Sequence, residues 1–156
     1  MKIIGDKKFL SVCAAAFLGL AASCEMETSQ NGDLDGFWHL EQVDTLSTGG
    51  VCDYSGRRIF WGVQHKLISV SDYDGMQSWR GYYFRFAQTG DSLVLNTPYR
   101  NLAHQEKGGD VPVTEINDSL RRCGFNSLEE RFRKEQLSGS KMVLRNKSLR
   151  LKFVKF

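Results

Sequence analysis

The sequence predicts an all-β domain, an antiparallel up-and-down β-barrel of six or more strands with at most one short helix. Three observations predict it. Aromatic and branched residues alternate with polar ones, most plainly where Leu149, Leu151 and Phe153 share one face and Arg150 and Lys152 point the other way. Gly, Asp and Asn recur at intervals suited to tight turns, and the chain has only two prolines, Pro98 and Pro112. The turns are short enough that neighbouring strands should pair antiparallel, and closing such a sheet on itself removes its exposed edges.

The chain begins with a segment that belongs to no barrel. Residues 1–23 run from a basic start (Lys2, Lys7, Lys8) through an apolar stretch from Phe9 to Leu20 to the small residues Ala21, Ala22 and Ser23. This is the layout of a secretory signal peptide, and the apolar run is short for a bilayer core that takes about 20 such residues to cross. Leu20-Ala21-Ala22-Ser23-Cys24 resembles the lipobox of bacterial lipoproteins, with Ala21 where Leu is more usual. The resemblance implies that Cys24 is acylated, with chains such as palmitate, and becomes the first residue of the mature protein. An ordinary signal-peptidase cut beside an incidental Cys24 thiol is the alternative. Residues 24–35 are polar and aperiodic and read as a flexible tether, which sets the barrel domain at 36–156. Glu25 and Glu27 resemble the acidic export signals of surface lipoproteins in Bacteroidetes, although two acids in a solvated linker need no such role.

Strands are expected at Phe37–Asp44, Arg58–Trp61, Gln64–Asp72, Ser78–Gln88 and Ser92–Thr97, with loops at Asp74-Gly75 and Thr89-Gly90-Asp91. A final hairpin joins Lys141–Arg145 to the strand starting at Leu149 through Asn146-Lys147. Residues 102–118 are polar and read as a loop or flap around Gly108-Gly109. Residues 126–136 fit two readings. Asn126 ahead of Glu129 and Glu130 could start a helix with Phe125, Leu128 and Phe132 on one face; a turn followed by a strand from Phe132 to Leu137 fits equally.

Gly36-Phe37-Trp38 opens the first strand directly after the tether. It resembles the G-x-W signature that starts the first strand of lipocalins, where the Trp plugs the closed end of an eight-stranded antiparallel barrel, and so implies about eight strands here. Acylated cysteine, tether, G-x-W, meandering strands and a last strand running through Leu151-Lys152-Phe153-Val154-Lys155-Phe156 together resemble the lipocalin-like lipoproteins of Bacteroidetes. That pattern spans roughly the whole mature chain. It implies structural roles for Gly36 and Trp38, with an Arg near the last strand, Arg145 or Arg150, stacked over the Trp. The lipocalin carboxyl-terminal helix has no counterpart before Phe156, a departure from the family pattern with which a shortened or distorted barrel is expected.

The resemblance also implies a cup for a small apolar or amphiphilic ligand. Tyr82, Phe84 and Phe86 form the more apolar row of their strand, opposite Trp79 and Tyr83, and with Phe60 they are the candidate ligand-contacting residues. A collapsed core without a cavity fits the same residues. The competing function is a non-enzymatic interaction module of an outer-membrane or surface assembly, with a filled barrel.

Catalytic, metal and cofactor assignments are all none. His39, His65 and His104 are far apart, and there is no G-x-S-x-G, no phosphate-cradling Gly loop and no C-x-x-C. Once the leader is removed, 18 basic side chains face 17 acidic ones, so nucleic acid is not an expected partner. The basic residues do concentrate late, 11 of them in residues 121–156 against Glu129, Glu130 and Glu135. They fit the wet side of strands or a face toward anionic headgroups. With Cys13 discarded and Cys24 acylated, Cys52 and Cys123 remain, either as a disulfide formed after export or as two separate thiols. The expected partners are the membrane through acylated Cys24, a small hydrophobic ligand and an envelope protein. The expected location is the outer membrane or cell surface, with the periplasmic face open.

Overall fold

The structure, a computed structural model, describes residues 29–75, 81–101 and 110–156. Its strands are β1 (Gly36–Thr45), β2 (Gly50–Asp53), β3 (Ile59–Gln64), β4 (Leu67–Asp72), β5 (Tyr82–Gln88), β6 (Ser92–Leu95), β7 (Tyr99–Arg100), β8 (Val111–Pro112), β9 (Glu130–Leu137), β10 (Lys141–Arg145) and β11 (Leu149–Lys155). Eight of them close a ring of antiparallel neighbours in the order β1, β3, β4, β5, β6, β9, β10, β11 and back to β1. The expected all-β barrel is therefore what forms. β2 continues the edge of β1 beyond the reach of β3, and the β7–β8 hairpin extends β5 beyond β6.

Alternation fixes the interior. Trp38 and Leu40 point inward from β1, Ile59, Trp61 and Val63 from β3, Ile68 and Val70 from β4, and Leu149, Leu151 and Phe153 from β11. The β1–β11 register slips between Leu40 and Gln42. This bulge moves the inward set from even to odd positions, and Val43 becomes the next buried residue.

The segment expected to be free tether is fastened to the barrel from Ser29 onward. Ser29 Oγ donates to Asp35 at 2.6 Å, the Asn31 side chain donates to Asp35 at 2.7 Å and to the His65 carbonyl at 2.7 Å, and the His65 N–H donates to Ser29 Oγ at 2.9 Å. A 3-10 turn over Gly32–Leu34 then drops Leu34 fully out of solvent beneath the barrel. The described residues thus enclose one core.

The helix sits elsewhere than at 126–136. Asn126 and Ser127 donate their N–H groups to the buried Glu130 carboxylate at 2.9 and 3.0 Å, which satisfies them in a bend, and β9 starts at Glu130. The single α-helix among the described residues, α1, runs Asp118–Arg122. Asn117 caps it by accepting from the Leu120 N–H at 3.0 Å, Asp118 sits in its first turn, and Arg121 and Arg122 close its last. Part of the expected 102–118 flap is instead the strand β8.

Candidate functional site

The barrel axis is where a cup would lie, and the chain fills it with its own segment. After α1, the Gly124 N–H donates to the Arg121 carbonyl and the Phe125 N–H to the Leu120 carbonyl, both at 3.1 Å. These two bonds with Gly124 at φ 96° make a Schellman turn. Glycine is required twice here: the φ is left-handed, and a Cβ would stand 2.9 Å from Leu151 Cδ1. The turn throws Phe125 inward. Its ring stacks on Trp61 at 4.8 Å and 12° and on Phe84 at 4.5 Å and 13°, so Trp61, Phe125 and Phe84 form one three-ring column across the barrel. Phe132 and Phe153 close on Trp61 from the side at 6.1 and 5.0 Å. All five rings are essentially inaccessible to solvent.

Polar contacts hold this plug at the open end. The buried Asp72 carboxylate accepts from Arg122 Nε at 2.9 Å and from the N–H groups of Asp74 and Gly75. That hydrogen bond raises the Arg122 guanidinium further above its ordinary value. Asn117 Nδ2 donates to the Tyr82 hydroxyl at 3.0 Å, and Trp61 Nε1 donates to the Cys123 carbonyl at 3.3 Å. Every buried side-chain nitrogen and oxygen among the described residues has a partner. Among the same residues, no three His, Cys, Asp or Glu side chains converge as a metal site would require.

The opposite end is closed by Trp38. Its Nε1 donates to the Leu34 carbonyl at 2.8 Å, and the Lys155 ammonium lies 4.6 Å from the ring centre, over the indole. Lys155 also donates to the carbonyls of Asp33 and Asp35 at 3.1 and 2.7 Å. The cation over the Trp is thus Lys155 and neither Arg candidate. Lys155 is the register partner of Trp38 on β11 and shares its face, whereas Arg150 and Arg145 point outward and both bind Glu135, at 2.6 and 3.3 Å. Gly36 precedes the Trp at φ 131°, beside the Lys155 side chain, and so serves the same closed end.

Of the candidate ligand contacts, Tyr82 and Phe84 face the interior and Phe86 packs partly buried against it, with Tyr83 on the other face bound by Asn101. Phe60 does not join them. Trp38 is the register partner of Trp61, so Trp61 takes the inward position on β3 and Phe60 is left outside, stacked on Phe37 at 4.7 Å. Cys52 and Cys123 are both free thiols: Cys52 is exposed on β2 and Cys123 is fully buried in the plug, so the candidate bridge is absent. Burial pushes the Cys123 thiol far above its ordinary value. Cys24, Trp79 and His104 lie outside the described residues.

Sequence reasoning missed Phe125 as the central residue. The capping Asn117, the charge order of α1 and the following Gly124 could have located the helix and its stop, but local signals do not say that the residue after the stop enters the barrel.

The family follows from comparison with known proteins. The sequence matches the family described as lipocalin-like domain over residues 18–156. The chain belongs to that family. Two solved structures share the fold of this lipocalin-like protein. A lipocalin-like protein from Bacteroides uniformis ATCC 8492 is 21% identical with a TM-score of 0.58, covering 80% of this chain and 100% of its own. An uncharacterized protein from Bacteroides eggerthii DSM 20697 is 18% identical with a TM-score of 0.55, covering 78% of this chain and 98% of its own. No curated protein matches the sequence. Among the described residues, no helix is long and apolar enough to cross a membrane.

Proposed function

We propose that this lipocalin-like protein is a lipid-anchored lipoprotein of the cell envelope and a non-enzymatic interaction module, working through its outer surface around a barrel filled by its own chain. The observation that carries this reading is Phe125, stacked on both faces between Trp61 and Phe84 where a ligand would sit. A barrel of eight strands has room for one small ligand or for side chains, and here side chains take the space. The lipobox-like residues before Cys24 support the anchor, and the fastening of Ser29 to the barrel supports a short tether. The outer membrane or cell surface is the proposed location, with the periplasmic face as the other arrangement. An envelope protein is the proposed partner.

A second reading has its own support. The aromatic slot holding Phe125 is what a flat apolar or amphiphilic ligand would occupy if the plug moved, with Tyr82 and Phe86 near it. Native mass spectrometry of the protein purified from its host separates the two. A stable protein partner with an empty small-molecule channel is expected; a reproducible stoichiometric small molecule would defeat the filled-barrel reading and favour the second. Labelling with a radioactive fatty acid tests the anchor, with incorporation expected in the native chain and abolished by Cys24→Ser.

A further inference from the structure

The outside of the barrel carries an aromatic wall that the core does not explain. Phe37 and Phe60 stack almost parallel at 4.7 Å, and Phe156 meets both edge-on at 6.2 and 5.4 Å. Tyr73 meets Phe60 edge-on at 6.0 Å. Phe37, Tyr73 and Val154 remain about two-fifths exposed and Phe156 is 84% exposed. They lie together because Phe37 and His39 on β1, Phe60 on β3 and Val154 on β11 occupy outward register positions of adjoining strands. Beside Phe37 the outward position of β3 is Gly62, leaving a groove of about 520 Å³ bordered by Asp35, Gln64 and Ser69. Leu67, also exposed, stands at the same end.

This wall adjoins the point where the amino-terminal segment reaches the barrel. Ser29 is fixed by Asp35 and by the His65 N–H, at the end of β1 and β3 where Phe37 lies. Five residue steps separate Ser29 from Cys24, a reach of at most about 18 Å even when fully extended. Exposed Lys66, in the β3–β4 turn, and Lys141, register partner of Val154, stand at the margin, and Arg57 lies over the Tyr54 ring at 4.3 Å. Arg58 and Lys152 are already paired, with Asp74 and Asp44, and His39 with Glu41. Contiguous exposed aromatics rimmed by basic residues suit the boundary between headgroups and acyl chains, where amphipathic rings and cations both find partners.

We infer that the Phe37–Phe60–Phe156 wall rests against a phospholipid bilayer, so that the barrel lies on its β1–β3–β11 side on the membrane that anchors it. The inference rests on the proposed anchor at Cys24. The short tether brings the membrane to the wall, and a polar surface there would have no reason to cluster five apolar side chains.

The test imposes the tether chemically, so that it reads the wall alone. The chain from Cys24 onward, carrying Cys52→Ser, is coupled through the Cys24 thiol to maleimide lipid in vesicles of phosphatidylethanolamine and phosphatidylglycerol; Cys123 is buried and does not compete. Phe156→Trp and Phe37→Trp report from the wall, and Val94→Trp reports from β6, diametrically opposite β1 in the ring. With brominated acyl chains, the emission added by either wall variant should fall about twofold relative to unbrominated vesicles, as for a ring buried in the interface. The Val94→Trp emission should be unchanged. Unquenched wall variants, equal quenching on both sides, or self-association of the chain through this face without quenching would each overturn the inference. Failure of fatty-acid labelling at Cys24 in the host would instead overturn the anchor, and the two failures are read separately.

Discussion

Replacing Phe125 by Ala removes the middle ring of the Trp61–Phe125–Phe84 column while leaving both outer rings in place. The loss has two parts. Burial of a Phe side chain contributes about 1.5–3 kcal/mol relative to exposure. The void of about 100 Å³ between two rigid rings adds about 2.4 kcal/mol at the usual cost per unit volume. A destabilisation of about 4–5 kcal/mol is therefore expected if the barrel does not collapse, and strands paired on both sides give little room for collapse. Urea unfolding followed by tryptophan emission measures it, since Trp61 touches the deleted ring. The cavity would be flanked by aromatic faces and therefore dry, so indole or benzene should bind it and restore part of the loss in a concentration-dependent way. Phe125→Leu should lose less than half as much as the Ala variant. A loss under about 1 kcal/mol for Phe125→Ala, with no response to benzene, would refute the claim that this ring fills the axis.

Gly124→Ala combines a left-handed φ with a methyl group 2.9 Å from Leu151, so it should cost about 2–4 kcal/mol in the same assay; a neutral effect would mean the Schellman turn is not what seats Phe125. Lys155→Met deletes the cation over Trp38 and two hydrogen bonds to backbone carbonyls and should cost about 1–3 kcal/mol, more than Arg150→Met on the outer face; the reverse order would return the Trp38 contact to an arginine. At Asp35, burial alone would raise the carboxyl, but hydrogen bonds from Ser29 and from the side chain and backbone of Asn31 outweigh it and hold the carboxyl below its ordinary value. Its stabilisation is therefore complete above the unfolded-chain value near 3.9 and is lost as pH falls through the lower folded value. The Asn31 amide resonance should titrate with a midpoint below that value, and a flat response would show that the amino-terminal clasp is not held by this carboxylate. Of Cys52 and Cys123, alkylation under native conditions should modify Cys52 only, with or without reductant, and Cys123 should react only on unfolding; adducts that depend on reductant would restore the disulfide.

Most of the barrel was legible because a half-buried strand writes its own signal in period two. β1, β10 and β11 and the turns at Thr89-Gly90-Asp91 and Asn146-Lys147 follow directly from alternation and turn chemistry, and so does the inward row of Tyr82 and Phe84. The short strands β2, β7 and β8 were not legible, since two to four residues carry no period and owe their pairing to a neighbouring edge. Phe60 shows a different limit. Two adjacent aromatics cannot both face inward, and which one does was set by the partner across the ladder, Trp38 opposite Trp61. Asn126 through Glu130 carried helix-capping residues, yet Glu130 was drawn into a buried network with Asn126, Ser127 and Asn146, which turned the same hydrogen-bonding groups into a bend.

By itself the sequence determined the fold class and the faces of β11 and of the Tyr82–Phe84 row, because strict alternation writes these locally, while the place of Trp38 at the closed end came from the resemblance of Gly36-Phe37-Trp38 to the lipocalin signature. Only the tertiary structure placed Phe125 in the barrel interior. That outcome depends on Phe125 meeting Trp61 and Phe84, residues 64 and 41 positions away, and on a glycine turn whose direction matters only once a barrel surrounds it. Local propensity can start and stop a helix, but contacts at such separations are set by how the closed sheet brings its walls together.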